Sequence, residues 1–158
     1  MWSRHWNFTT AICRKSAAVK HDKINVMRAL RLSYSEARQM FRRVVFNVVI
    51  RNQDDHTKNI SFLMGEDGKW YLSPAYDMGY AYNPDGGWTA THQMSINEKF
   101  DNITRDDLLI FASNNNIKDA VTVVDEVCEA VSHWEDIAKD CGVPSVMIDA
   151  IIPNFILW

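Results

Sequence analysis

At 158 residues and 47% apolar composition, the chain is long enough to bury a core as one domain and too apolar to be an intrinsically disordered segment. Its net charge of −3 hides a division: residues 1–53 hold 11 Lys and Arg against 2 Asp and Glu, a balance of +9, and residues 54–158 hold 6 against 18, a balance of −12. Cys13, Cys128 and Cys141 are odd in number and lack C-x-x-C spacing, so they read as free thiols rather than a zinc site or a disulfide framework.

No apolar run approaches the ~20 residues of a bilayer span, so no membrane partner is predicted. The first residues lack the apolar stretch of a signal peptide, and the expected compartment is the cytoplasm. The charge division fits either a basic face for nucleic acid or phosphate, or two halves that pack together and neutralise each other. No basic run is interleaved with aromatics, so packing is predicted. Direct DNA contact is not expected of the acidic half.

Residues 1–20 are not assigned to the domain. Trp2, Trp6 and Phe8 share no helical stripe with the residues after them, and residues 10–19 read as a short helix. The domain is predicted to span 21–158. A weak helix is predicted over 23–31, with Ile24, Met27 and Leu30 on one face. Ser33-Tyr34-Ser35-Glu36 has the form of a capping box and opens a helix to about Ile50. Its apolar positions Ala37, Met40, Phe41, Val44, Val45, Val48 and Val49 make one buried stripe.

Residues 52–58 contain no apolar side chain and read as a loop. A hairpin comes next: Ile60 to Met64, a turn at Gly65-Glu66-Asp67-Gly68, a return strand from Lys69 to Leu72, and Pro74 as its stop. Residues 80–100 are predicted to form an ordered loop. Thr104 caps a helix with Leu108, Leu109 and Ala112 inward, broken at 113–116. The longest helix is predicted over 117–140, burying Ala120, Val124, Val127, Val131, Trp134 and Ala138 with Val121, Cys128 and Ile137 beside them. Gly142 suits its C-cap, Pro144 starts a last helix and Pro153 stops it. Ile148, Ile151, Ile152, Phe155 and Leu157 are assigned to core or interface. The fold class is mainly α with one β-hairpin.

The densest run of reactive side chains is Asn52-Gln53-Asp54-Asp55-His56-Thr57-Lys58-Asn59. Phosphoryl transfer needs a carboxylate for the acceptor hydroxyl, oxygen ligands for Mg²⁺, and cations or amides around the phosphates. Asp54 and Asn59 stand as D-x4-N, the spacing of a kinase catalytic loop, and Asp77-Met78-Gly79 beyond the hairpin has the D-x-G form. Asn and Asp also favour loops for backbone reasons, so D-x4-N alone is weak. The order of apolar helix, D-x-H-x-x-N loop, hairpin and D-x-G favours a site. Here His56 holds the loop or meets phosphate, and Lys58 neutralises phosphate or is solvated. Asp55 is read as a solvated acid rather than a further metal ligand. His92 and Gln93 are candidates for the acceptor side. A lone His beside the acids gives poor zinc spacing, which leaves metal hydrolysis a distant reading.

The run Phe46-Asn47-Val48-Val49-Ile50-Arg51-Asn52-Gln53-Asp54-Asp55-His56-Thr57-Lys58-Asn59, with Leu72-Ser73-Pro74-Ala75-Tyr76-Asp77, resembles the C-terminal part of HipA-family serine/threonine protein kinases. These are toxins of bacterial HipA/HipB toxin–antitoxin modules. Trp88-Thr89-Ala90-Thr91-His92-Gln93-Met94-Ser95-Ile96-Asn97 resembles that family's stretch after the catalytic loop. The resemblance runs from about Val26 to the C-terminus. It implies a protein-kinase-like C-lobe, ATP and Mg²⁺ as ligands, a protein hydroxyl as acceptor and a HipB-like antitoxin as partner. It also implies Asp54 as the catalytic base, with Asn59 and Asp77 as metal ligands.

The pattern departs from the family on its N-terminal side. None of the six glycines builds a G-x-G-x-x-G or a G-x-x-x-x-G-K loop, and residues 1–20 do not resemble the family. The chain is therefore expected to be a degenerate kinase, a fragment, or a lobe completed in trans by a separate N-terminal polypeptide. Two functions remain: the catalytic lobe of a kinase, or an inactive binding module that sequesters an antitoxin or another partner.

Overall fold

A computed structural model describes residues 10–11 and 23–158. Within it, α1 (Lys23–Ala29) buries Ile24 and Met27 and leads into α2 (Tyr34–Val49), the axis of the fold. The α2 capping box forms as its sequence requires. Glu36 N donates to Ser33 Oγ at 3.3 Å, and Ser33 N donates back to Glu36 Oε2 at 2.9 Å. The predicted stripe is buried, and it divides between two cores. Phe41, Val44, Val45, Val48 and Val49 face the later helices, while Met40 packs with Met27 and Phe62 under the sheet.

The hairpin lies as expected: β2 (Phe62–Met64) pairs antiparallel with β3 (Trp70–Leu72), Phe62 opposite Leu72 and Met64 opposite Trp70. Gly68, at φ 73°, supplies the left-handed residue of its turn. A third strand, β1 (Thr10–Ala11), joins the outer edge of β2 with Thr10 opposite Leu63. This corrects the helix read over 10–19 at its first two residues; residues 12–19 lie outside the described ones, as do Trp2, Trp6 and Phe8.

Glu36 also ties α2 to the sheet, since Leu72 N donates to its Oε1 at 2.8 Å. Burial alone would raise the Glu36 carboxyl, but hydrogen bonds from Leu72 and Ser33 outweigh it and hold the group below its ordinary value. A lowered carboxyl stabilises the fold fully above its unfolded pKa, and that contribution is lost as pH falls through the folded value. Glu36→Ala should cost about 1–2 kcal/mol in denaturant unfolding at neutral pH. The difference from wild type should shrink as the solution is acidified.

α3 (Arg105–Asn114) starts with a second capping box, Thr104 with Asp107. Lys99 Nζ sits 2.8 Å from Asp107, and with the Thr104 amide and hydroxyl it holds that carboxyl below the ordinary range despite burial. Asp107→Ala should lower stability by about 1–2 kcal/mol and Tm accordingly, because it removes the cap and unpairs Lys99.

The long helix predicted over 117–140 is two. α4 (Ala120–Ser132) ends at His133, and α5 (Trp134–Asp140) leaves it. Ser132 Oγ donates to Glu129 O at 2.7 Å, a local bond that competes with the helical ladder. The turn then sets Trp134 edge-on to Phe155, with centroids 5.3 Å apart. The longest helix among the described residues is α2, with 16. The α4 stripe contains Val123, which was not expected, while Val121 and Ile137 are exposed. Leu157, also assigned to core or interface, is 48% exposed. Gly142, at φ 77°, closes α5, and Pro144 caps α6 (Ser145–Ile151). A 3-10 turn over Ile152–Asn154 contains Pro153, and Ile156 N then returns to Val49 O at 2.8 Å.

Two of the basic side chains of the first half meet acids of the second across a helix contact. Arg38 of α2 pairs with Asp119 and Glu126, and Arg42 with Glu126, across the α2–α4 contact. Among the described residues no helix is long and apolar enough to cross a membrane.

Candidate functional site

The end of α2 aims the loop. Arg51 is left-handed at φ 53°. Arg51 N donates to Val48 O at 3.2 Å and Asn52 N to Asn47 O at 2.8 Å, the paired bonds of a Schellman motif. Glycine usually fills the left-handed position; here the Arg51 guanidinium lies 4.4 Å from the Tyr82 ring centroid, a compensating contact.

Asn52, 3% exposed, is the hub of the site. Its Nδ2 donates to Asn47 Oδ1 at 3.1 Å and to Asp77 O at 3.0 Å. Gln53 N donates to Ala81 O at 3.0 Å and Ala81 N to Arg51 O at 3.2 Å, so the segment after Asp77 lies along the start of the loop.

Asp54 and Asn59 meet directly. Asn59 Nδ2 donates to the Asp54 carbonyl at 3.0 Å, which leaves the amide oxygen as the end that can hold a cation. Residues Thr57–Asn59 make a 3-10 turn, with Asn59 N on His56 O at 3.1 Å. The Asp54 side chain is 39% exposed, with Oδ1 accepting from Trp88 Nε1 at 2.9 Å. His56 Nε2 is 3.9 Å from that same oxygen. Lys58 is exposed, and its carbonyl accepts from Tyr76 Oη at 2.7 Å.

Asp77 is brought to the loop through its backbone. Asn52 holds its carbonyl, and the preceding residue, Tyr76, reaches the far end of the loop at Lys58. Asp77 itself is exposed at φ 55°, a conformation Asp tolerates better than most residues. Arg43 of α2 anchors the approach by donating to Ser73 O at 2.6 Å, and burial pulls its guanidinium below the ordinary value.

The segment 88–94 closes the other flank. Asp55, read from sequence as solvated, is 7% exposed. Its Oδ1 accepts from Gln93 N at 2.8 Å and Met94 N at 3.3 Å, and its Oδ2 lies 3.2 Å from His92 Nδ1. Burial corrects that reading, because a carboxylate with these partners is a tie and not a loop acid. His92, 4% exposed, points its ring at Asp55 rather than at solvent. The Gln93 amide nitrogen donates to Trp88 O at 2.7 Å and Thr91 O at 3.2 Å. Gln53, with its amide nitrogen set toward the same segment, donates to Thr89 O at 2.7 Å and Ala90 O at 3.0 Å. Behind the loop lies a cavity of about 470 Å³ whose walls include Arg51, Gln53, Tyr82, His92 and Trp158.

Four contributors were not singled out from sequence: Asn52 as hub, Asp55 as tie, Arg43 as anchor and Trp88 on Asp54. Only Trp88 carried a local signal, an aromatic directly after the Gly86-Gly87 turn. Among the described residues no three His, Cys, Asp or Glu side chains gather as a metal centre. Asn59 and Asp77, the residues expected from sequence to hold a metal, carry only oxygen as possible ligand atoms on their free ends, the donor type that Mg²⁺ takes.

A family model described as the HipA-like C-terminal domain matches residues 10–154. The match starts before Val26 and takes in the strand at Thr10–Ala11. No curated protein matches the chain. The match covers most of the sequence, and the chain belongs to the HipA-like C-terminal domain family.

Proposed function

We propose that the chain is the catalytic-loop lobe of a HipA-like serine/threonine protein kinase, built as a protein-kinase-like C-lobe. It transfers the γ-phosphoryl group of ATP to a protein hydroxyl. The observation that carries this reading is the folding of 52–59 into one unit. Asn59 grips the Asp54 carbonyl, and Asn52 of the same run holds the backbone carbonyl of Asp77. A cluster of turn-capping residues would not need a buried asparagine joining two segments 25 positions apart.

Asp54 takes the role of base: its carboxylate accepts the proton of the acceptor hydroxyl as the new oxygen–phosphorus bond forms. The bond from the γ-phosphorus to the bridging oxygen breaks, and ADP leaves. Asn59 Oδ1 and the Asp77 carboxylate are the groups that would hold Mg²⁺. When bound, the ion neutralises charge on the nucleotide's phosphates. His56 and Lys58 stand at the phosphate side of the loop, where Lys58 is free to swing toward the nucleotide. The glycine-rich or lysine clamp on the phosphates comes from a separate N-terminal lobe, in cis or in trans, and a HipB-like antitoxin is the regulatory partner. The competing reading, a binding module without catalysis, predicts partner capture that is indifferent to Asp54.

Calorimetry tests the proposal. ATP with Mg²⁺ is titrated into the chain combined with the product of the adjacent coding sequence. Binding is expected in wild type and should be weakened at least about tenfold in Asp77→Asn, a change compatible with the left-handed backbone there. Absence of ATP binding in wild type overturns the reading.

A further inference from the structure

Trp88 is 69% exposed, although so large a ring is ordinarily placed in a core or an interface. It is nevertheless held firmly. Its carbonyl accepts from Gln93 Nε2 at 2.7 Å, and the next carbonyl, of Thr89, accepts from Asn83 N at 3.2 Å and from the Gln53 amide at 2.7 Å. Gly86 and Gly87, at φ 107° and 88°, make the turn that presents it. The indole N–H lies on Asp54 Oδ1 at 2.9 Å. A tryptophan kept for packing would bury its faces. This one leaves its faces to solvent and spends its only donor on the carboxylate assigned as base.

We infer that Trp88 is the acceptor-side positioning residue of this site: its indole N–H fixes one oxygen of Asp54 so that the other meets the acceptor hydroxyl, and its open face is the wall against which the acceptor's polypeptide lies. The inference rests on the kinase reading above. An exposed carboxylate rotates easily, and a bond on Oδ1 fixes its plane, which keeps Oδ2 aimed at one place. The indole nitrogen only donates, so it takes no proton from the acceptor and cannot replace Asp54 as base. A rigid aromatic face binds extended polypeptide at low entropic cost, which is why such rings recur where chains are recognised.

Two variants separate the roles. Trp88→Phe keeps a ring face and loses the N–H; Trp88→Ala loses both. The first readout needs no turnover: hydrogen exchange of the Trp88 indole N–H, followed by ¹⁵N NMR and assigned by its loss in Trp88→Phe. Exchange should be about tenfold slower in wild type than in Asp54→Ala, the effect of one hydrogen bond to a charged group. The second readout is steady-state transfer to dephosphorylated casein by the chain with its nucleotide-binding complement. Trp88→Phe should lower kcat about tenfold with KM for casein within about twofold, whereas Trp88→Ala should also raise that KM about fivefold or more. KM for ATP should hold in both. Unchanged exchange in Asp54→Ala, or wild-type kcat in Trp88→Phe, overturns the inference alone. Absence of transfer by wild type to casein and to every protein of a cell extract overturns the kinase reading, and the acceptor role falls with it.

Discussion

Asp54→Ala is expected to lower phosphoryl transfer by about 10²–10⁴-fold, the usual worth of a positioned acid or base, while leaving the fold intact. The second half of that result comes from geometry. The loop is closed by the Asp54 carbonyl, which Asn59 grips, and among the described residues the half-exposed carboxylate turns outward to Trp88 and toward His56. Alanine keeps the carbonyl, so thermal unfolding should stay near wild type and Asn52, Asn59 and Asp77 should stay in place. A fall in activity accompanied by an equally large fall in Tm would mean that Asp54 is a structural loop residue. Radiolabel transfer and a melting curve on the same preparation decide between the two.

The neighbouring carboxylate should behave in the opposite way. Asp55→Ala is expected to destabilise the chain by about 3–5 kcal/mol, because it strips a buried carboxylate from buried partners. The amides of Gln93 and Met94 lose their acceptor, and His92 Nδ1 loses the oxygen 3.2 Å away. Asp55→Asn keeps one acceptor oxygen and should cost less. Urea unfolding gives the stability. Limited proteolysis should show early cutting within 83–93 in Asp55→Ala, since this carboxylate is a buried tie between that segment and the 52–59 loop. If Asp55→Ala unfolds at the wild-type denaturant concentration, the buried tie is not what holds the two together. On the proposed function, adjacent acids in one loop divide between chemistry and architecture, and a single scan of both positions checks the division.

The burial of Asp55 was invisible in the sequence for a physical reason. Asp54 and Asn59 lie in one short turn, so their spacing reports their contact, and the resemblance to the HipA family rests on such local runs. The same holds for the capping boxes at Ser33 and Thr104 and for the hairpin turn at Gly65–Gly68, where each partner is within a few residues. Asp55 owes its burial to amides 38 and 39 positions away, and nothing near it records that distance. Trp88 is 34 positions from the carboxylate it contacts.

The helical half shows the same limit. Apolar periodicity over 117–140 is compatible with one continuous helix, and no Gly or Pro marks the bend at His133. The bend comes from Ser132 turning back on Glu129 and from Trp134 finding Phe155, which is again a distant contact. Val123 faces the core and Val121 does not because α4 is oriented by α2 and α3, and the ion pairs of Arg38 and Arg42 help set that orientation. Opposite charge in the two halves was legible; which residues met was not.

The most direct test of the central claim is transfer of labelled γ-phosphate from ATP to protein, with and without Mg²⁺, by the chain together with its nucleotide-binding complement. The account predicts labelling on serine or threonine that needs Mg²⁺ and is lost in Asp54→Ala and in Asp77→Asn, with both variants folded. Labelling that persists in both variants, or a wild-type protein that binds its partner normally and never labels, would contradict it.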